Sequence, residues 1–514
     1  MPEPFDLLGP LPEGTTVLEA SAGTGKTFTI ANLVARYVAD GVAMEELLVV
    51  SFSRESTREL RERVRERLVS ARDGLADPAS IPDDDRVLAQ LADADRELTD
   101  VRRKLLEEAL TVFDAATVTT THGFCQQVLL ALGTAGDHDT GAVLVESIGD
   151  LVAEVADDLY LRKWGAAGSA PADMTQAEFH ALAMAAATDP ATDLLPPTST
   201  DGMPGQRARI AQAVRAEVDR RKRRQQLIDY DDMLLRLRDT LTDATSGPVA
   251  KARLRARYRV VLVDEFQDTD PVQWAILREA FHGHRTLVLI GDPKQAIYGF
   301  RGADVHAYLE ARESASVVRT LPTNHRSDRS LLDGMSAVLG GAALGDERIR
   351  VLPVEAAHEG RLVDAAAPLQ LRVVPRDGLP VTGKGLATVG PARAAVVRDL
   401  ADRVVALLSG DARLHPRDSG DARPVEPKDI AVLVRTNTQA ALVQAQLQAA
   451  GVPVVLTGKT SVFATPAAAE WQRLLEALEQ PHRTTRVRRL ALTCFVGLDA
   501  AGLDAAGDAF ADDL

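Results

Sequence analysis

The sequence predicts an α/β protein: a domain built on a parallel β-sheet, a helical insertion within it, and part of a second α/β unit. Three observations carry that prediction. Short β-branched runs alternate with long helical patterns over the first third of the chain, as strand–helix–strand units do. A glycine-rich loop joins the first such run to a helical segment. Strand-like apolar runs return at 258–265 and 286–292, after an Ala-rich stretch with only helical patterning.

In chain order, TTVLEA (15–20) predicts a strand, TFTIANLVARYVAD (27–40) a helix and LLVVSF (47–52) a second strand. The segment 56–73 is helical, with acid–base pairs three and four residues apart. Residues 74–100 are acidic and carry DDD at 83–85, a solvated turn and helix face. ATVTTTHGF (116–124) predicts another strand and its exit loop. Residues 132–225 form the helical insertion, broken by a Pro/Thr/Ser/Asp loop at 188–205. A second α/β unit is expected to start near 316, with further strands at 369–375 (LQLRVVP) and 430–436 (IAVLVRT). The expected domains are 1–131 with 226–315, the insertion 132–225, a second unit 316–465, and the start of another helical insertion at 466–514.

Composition bounds the function classes. A chain of 514 residues, 46% hydrophobic and 26% charged, is an ordinary multidomain protein with room for large cores. Its 59 Lys+Arg against 74 Asp+Glu give a net charge of −15, so any nucleic acid must be held at local sites rather than by a global positive field. Two cysteines, Cys125 and Cys494, exclude a disulfide framework and fit a reducing cytoplasm. No apolar run reaches 18 residues and MPEPFDLLGPLPEG lacks signal-peptide character, so no membrane association is expected. The segment 205–260 is locally basic, 15 Lys+Arg against 7 Asp+Glu, with the run Arg220-Arg221-Lys222-Arg223-Arg224. That run is a solvated helix face, or an arm on duplex DNA or a partner subunit.

Ala20-Ser21-Ala22-Gly23-Thr24-Gly25-Lys26-Thr27 fits the phosphate-binding loop, with Ala in place of its first Gly. Gly23 and Gly25 let backbone N–H groups face an anion, and the helix N-terminus adds partial positive charge. Lys26 can reach the β- and γ-phosphates of a bound nucleotide, and the Thr27 hydroxyl can hold Mg²⁺. A second GKT, Gly458-Lys459-Thr460, is followed by no helical pattern and is expected to be a loop. Val261-Leu262-Val263-Asp264-Glu265 is an apolar strand ending in two acids, of which Asp264 would hold the metal and Glu265 would act as general base on water. Gln295, just past the next strand, can contact the γ-phosphate. Tyr298, Phe300 and Arg301 form an aromatic and basic cluster of the kind that stacks unpaired bases; two rings spaced by two also suit a core.

Six stretches in order resemble superfamily 1A DNA helicases of the UvrD/Rep type: ASAGTGKT, VVSFSRESTRELRERV, TVTTTHGFCQQVL, VVLVDEFQDTDPVQ, LVLIGDPKQAIYGFRGAD and LPTNHRS. LEASAGTGKTFTI, THGFCQ, DYDDML and IAVLVRTNTQAALVQAQLQAAGVPVVLTGKTSVFATPAA are similar to the RecB family, the beta subunits of exodeoxyribonuclease V (RecBCD). The resemblance implies RecA-like P-loop motor domains that use ATP and Mg²⁺ to move 3′ to 5′ on single-stranded DNA, entering at duplex ends. It implies RecC and RecD as partner subunits and a role in double-strand-break repair and recombination. It places Phe52, His122 and Phe124 along single-stranded DNA, Arg326 at the γ-phosphate, and His325 at the adenine in place of the usual aromatic residue. The last motor motifs of the family and the RecB nuclease signature do not occur, so the chain is expected to be an N-terminal portion. Two other functions remain open: a module that holds ATP and DNA without turnover, and a motor of the AddA or UvrD kind.

Overall fold

A parallel sheet of seven strands organises the first part of the chain in the computed structural model, which describes residues 2–133, 142–165, 172–188, 192–299, 303–416, 420–457 and 461–507. The chain forms two units, Met1–Gly360 and Arg361–Leu514. In the first, the strands are β1 (Glu3–Pro4), β2 (Thr15–Ala20), β3 (Leu47–Ser51), β4 (Thr117–Thr120), a short separate pair β5 (Val143–Leu144) and β6 (Leu227–Ile228), then β7 (Val260–Val263), β8 (Thr286–Gly291) and β9 (Val317–Leu321). The sheet order is β1-β9-β2-β8-β7-β3-β4, and every neighbouring pair is parallel.

Both faces of such a sheet must be covered, which is why the strands read as continuous apolar runs. Successive side chains alternate between two cores: Leu18, Val49, Leu262 and Val288 face one layer, and Val17, Val50, Val261 and Leu289 the other. Helices α1 (Lys26–Ala39), α2 (Arg54–Ala76), α3 (Arg86–Ala92) and α4 (Arg96–Thr111) close the first layer through residues such as Ile30, Leu33, Leu60, Val64 and Leu106. Their starts are set locally. Ser53 Oγ caps α2 by accepting the Ser56 N–H, and Asp95 caps α4. Asp85, last of the acidic triplet, caps α3 and pairs through both carboxylate oxygens with Arg67, so it is a structural acid.

Helix α5 (Thr121–Leu132) opens the second layer, capped by Thr120. The THGF segment is therefore the first turn of a helix, not the expected exit loop, because Thr120 Oγ1 satisfies the Gly123 N–H and the chain winds directly off β4. Helices α6 (Gly149–Trp164), α7 (Gln176–Thr188) and α8 (Gly202–Gln225) pack around their own core of Val152, Val155, Phe179 and Val214. The basic run on α8 is largely paired. Arg221 bonds Glu217, Glu154 and Asp158, Lys222 bonds Asp229 and Asp232, Arg220 bonds Glu217 and Arg223 bonds Asp219. Arg221 ties α8 to α6, and Lys222 ties it to the start of α9 (Tyr230–Thr242). Arg221 and Lys222 thus brace the fold, while Arg220, Arg223 and Arg224 stay exposed on the helix surface. Helices α9, α10 (Gly247–Arg257), α11 (Pro271–Phe281) and α12 (Val305–Ser314) complete the second layer, with Leu237, Leu254, Trp274 and Tyr308 buried. Each such side chain contributes about 1.5–3 kcal/mol on burial.

Two expectations about the later chain need correction. The segment from 316 does not open a new unit: β9 inserts between β1 and β2 of the first sheet, with Val317 opposite Thr16 and Leu321 opposite Ala20. The first unit then continues through β10 (Thr323–Asp328), α13 (Arg329–Leu339), β11 (Ala343–Leu344), β12 (Asp346–Arg350) and β13 (Glu355–His358) to Gly360. In the second unit, α14 (Val389–Ser409) and α15 (Asn437–Ala449) share a small core of Ala401, Val404, Val443 and Leu447. The runs 369–375 and 430–436 are not strands there. They have no ladder partner among the described residues, and Leu371, Val373 and Leu433 are exposed by 76%, 87% and 95%. Helices α16 (Pro466–Glu479), α17 (Thr484–Ala491) and α18 (Ala500–Ala506) follow. Among the described residues no helix is long and apolar enough to cross a membrane.

Candidate functional site

Parallel strands deliver their carboxyl ends to one edge, where open α/β sheets bind ligands. The loop after β2 lies there. Gly23 and Gly25 have φ of 79° and 85°, the left-handed region that glycine enters without penalty. A Cβ on Gly23 would also come within 2.5 Å of Arg326 Cβ and 2.9 Å of Asn324 Oδ1. Thr24 folds the loop back, its Oγ1 donating to the Ser21 carbonyl at 2.8 Å. Ala20, fully buried, ends the strand, and Ser21, Ala22 and Gly23 carry the turn. The segment after β9 walls the loop. Asn324 Nδ2 donates to the Ala22 carbonyl at 2.8 Å, and the His325 N–H donates to the Gly23 carbonyl at 2.8 Å. Asn324 Oδ1 accepts the N–H groups of Arg326 and Ser327, so this buried amide sets the course of the His325–Arg326 stretch. Asn324 sits inside the NHR motif, yet the sequence assigns it no part.

Lys26 opens α1 and reaches across β8 to the end of β7, where its Nζ meets Glu265 Oε2 at 2.5 Å. Thr27 follows in the first turn of α1, half-buried. Asp264 is 6% exposed; burial, then the charge of Glu265, pushes its carboxyl up to about 7, against the pull of Lys26. Glu265 has φ of 50°, unusual for a residue with a side chain and a sign of imposed geometry. Ser51 Oγ, one residue past the Val50 carbonyl that accepts the Asp264 N–H, is buried with no hydrogen-bond partner among the described residues. A hard divalent cation that keeps waters and phosphate oxygens needs only one or two protein oxygens. Asp264 and Thr27 can supply them, and a cation would relieve the cost of the buried carboxylate. No group of three or more His, Cys, Asp or Glu suited to a metal occurs among the described residues.

Gln295, half-buried in the turn after β8, donates to Asp292 Oδ2 at 2.7 Å. Tyr298 lies three residues on, and its ring stacks on Phe52, at the end of β3, with centroids 5.4 Å apart and planes at 28°. His122, in the first turn of α5, meets the ring of Tyr230 edge-on at 5.3 Å, and Arg54 Nη2 donates to the Tyr230 hydroxyl at 3.0 Å. The structure thus adds Tyr230 and Arg54 beside the expected His122. Phe124 does not join this surface. It is fully buried against Tyr258 and Phe281, because its place four residues past the Thr120 cap turns its side chain into the core. Phe300, Arg301 and the second GKT, 458–460, lie outside the described residues. His325 and Arg326 are exposed at the loop's mouth. Phe28, also 60% exposed, approaches the same glycine as His325: a Cβ on Gly25 would stand 3.9 Å from each. The sequence did not single out Phe28, whose signal was an aromatic residue directly after GKT.

A glycine loop after one strand, with its lysine on an Asp–Glu pair two strands away, defines a P-loop nucleoside triphosphatase. The family described as the UvrD/REP helicase N-terminal domain matches residues 7–316, and the chain belongs to it. ATP is the nucleotide that membership implies. Over 99% of its length the chain is 47% identical to the RecBCD enzyme subunit RecB of Mycolicibacterium smegmatis and 46% identical to that of Mycobacterium tuberculosis. It is 36% identical to the RecB subunit of Escherichia coli over 57% of its length, covering 25% of that protein. The chain spans 46% of the length of each mycobacterial relative.

Proposed function

We propose that the chain carries the motor of a RecBCD-type helicase–nuclease: ATP hydrolysis at the β2–β7 edge drives 3′ to 5′ movement on single-stranded DNA. The observation that carries this reading is the Lys26–Glu265 contact, which joins the phosphate loop to the acidic strand end. Lys26 would turn to the β- and γ-phosphates, with Gln295 and Arg326 at the γ-phosphate and His325 and Phe28 at the base. Mg²⁺, held by Asp264 and Thr27, would offset phosphate charge. Glu265 would take the proton of the attacking water. Bases would stack on Phe52, Tyr298 and Phe300, with His122 and Arg301 nearby. On this reading 132–225 is an insertion in the first motor domain, the unit from Arg361 belongs to a second, and 466 onward begins another insertion. DNA entering at a duplex end, RecC and RecD as partner subunits, a role in break repair and a cytoplasmic location complete the proposal. High identity to RecB subunits along the chain supports them.

The test is single-strand-stimulated ATP hydrolysis by the full-length protein. Lys26→Ala abolishes it. Glu265→Gln keeps ATP binding and loses turnover by about 100-fold or more, the scale of a lost general base. Unchanged turnover in Lys26→Ala refutes the site, and equal loss of binding and turnover in Glu265→Gln removes Glu265 as the base. A parent that binds ATP and DNA without turnover supports the holding module instead.

A further inference from the structure

Gln267 is 2% exposed in the turn after Glu265, and its amide is used at both ends. Nε2 donates to Glu265 Oε2 at 2.8 Å, and Oε1 accepts the Asp292 N–H at 2.9 Å. Asp292 is itself 1% exposed. Its Oδ2 accepts from Gln295 Nε2 at 2.7 Å, and its Oδ1 pairs with Lys294 Nζ at 2.7 Å. A line of hydrogen bonds therefore runs from the carboxylate of Glu265 to the side chain of Gln295, three residues short of the Tyr298 ring stacked on Phe52. There is no slack in it: a Cβ on Gly291 would fall 2.7 Å from Gln267 Oε1 and 3.1 Å from Gln267 N.

Glu265 Oε2 accepts from two donors, Lys26 Nζ and Gln267 Nε2. A phosphate in the loop carries more negative charge than one carboxylate and competes for Lys26. When Lys26 turns to it, Gln267 is the donor that stays on Oε2. We propose that Gln267 is a positioning residue with two tasks. It holds Glu265 in place for the attacking water once Lys26 has left, and it ties that carboxylate to the Asp292–Gln295 segment. A change at the nucleotide is then felt by the turn that carries Tyr298. The inference rests on Glu265 being the base.

Two variants of the full-length protein test it, beside Lys26→Ala as control. Gln267→Glu is isosteric and keeps the acceptor for Asp292 N–H but loses the donor to Glu265; Gln267→Met loses both. Steady-state ATP hydrolysis with and without oligo(dT), and binding of a fluorescent ATP analogue, are the readouts. Both variants are expected to lose about 10- to 100-fold in kcat, with KM for ATP and analogue affinity near the parent's, as for other residues that orient a catalytic group. Gln267→Met is also expected to bring the ratio of stimulated to unstimulated turnover towards one. A merely structural role would instead lower the melting temperature, analogue binding and kcat together. Thermal melting reports folding, and Gln267→Glu decides the matter if Gln267→Met does not fold. Parental kcat and stimulation in the Gln267 variants beside an inactive Lys26→Ala overturn this inference alone. Turnover retained in Lys26→Ala overturns the site and this inference with it.

Discussion

Replacing Phe124 by Ala separates two roles that the THGF segment invites. The family resemblance puts this ring along single-stranded DNA; the structure buries it completely among Tyr258, Phe281 and the second-layer core. Burying a phenylalanine side chain contributes about 1.5–3 kcal/mol, and the cavity its removal leaves adds to that. Measured Phe→Ala changes in cores cost about 3–5 kcal/mol. The unit that holds it spans 360 residues, so its unfolding entropy near 60 °C is roughly 0.75 kcal/mol/K at ~2.1 cal/mol/K per residue. The expected drop in melting temperature is therefore about 4–7 °C. Calorimetry measures it, and fluorescence anisotropy with labelled oligo(dT), run well below the transition, measures binding. Phe124→Ala lowers the melting temperature and leaves affinity near the parent's. His122→Ala, at a half-buried surface position, does the reverse. An unchanged melting temperature with weakened DNA binding in Phe124→Ala would refute the assignment of this ring to the core.

Two further outcomes follow from single side chains. Phe28→Ala is expected to raise KM for ATP by about 3- to 10-fold with little change in kcat or melting temperature, because a ring 60% exposed at the loop's mouth makes little packing and, on the proposed reading, would stack on the base; steady-state kinetics with an unchanged KM would remove Phe28 from the site. At Asp85, burial alone would raise the carboxyl, but the Arg67 guanidinium and the Leu88 N–H outweigh it and hold it below its ordinary value of 3.8. A depressed carboxyl contributes stability that is present above that ordinary value and lost as pH falls through the folded one. Asp85→Asn is thus expected to cost about 1 kcal/mol at pH 7, after allowance for solvent screening, and less near pH 3, below the ordinary value. Urea melts at the two pH values check this, and an equal difference at both would refute it.

Much of the first unit was legible because its strands are buried on both faces. Continuous β-branched runs at 15–20, 47–52, 258–265 and 286–292 stand out from the amphipathic helices between them, and the observed strands fall within each run. Two other features resisted for physical reasons. A strand is a property of a pair, so the apolar runs 369–375 and 430–436 carry β-propensity but form no ladder without a hydrogen-bonding neighbour. Helical phase was the second. THGF shows polar and aromatic residues in alternation, which suits a loop, and only the Thr120 cap reveals the α5 turn that points Phe124 inward. The sequence left the run Arg220–Arg224 as a solvated helix face or an arm for a related reason: the partners that bury Arg221 and Lys222, namely Glu154, Asp158, Asp229 and Asp232, lie on other elements.

Strand order, rather than closeness in sequence, makes the site, and this is why its motifs were legible one by one while their couplings were not. The loop at 20–27 sits on β2, whose neighbours β8 and β9 come from 286–291 and 317–321. Register sets their ends level: Glu19 is opposite Gly291, and Ala20 is opposite Leu321. The turn bearing Gln295 and the stretch bearing Asn324 and His325 are therefore bound to flank the loop, and a slip of one residue would invert every side chain along a strand whose two faces fill different cores. Such a register holds the loops at fixed places along the edge, as catalysis by positioning requires. The residues that exploit this precision are the buried amides, Gln267 bridging the ends of β7 and β8 and Asn324 clasping the loop from β10. An amide can donate and accept at once, so it can join two strand ends without carrying charge into a site that already holds Asp264 and Glu265. A carboxylate at position 267 would add repulsion beside Glu265, and an apolar side chain would leave the Asp292 N–H without a partner. The chemistry of the site thus suits a glutamine between the second acid and the β8 turn; the sequence shows Gln267 as part of the acidic-strand motif, but not which groups its amide joins.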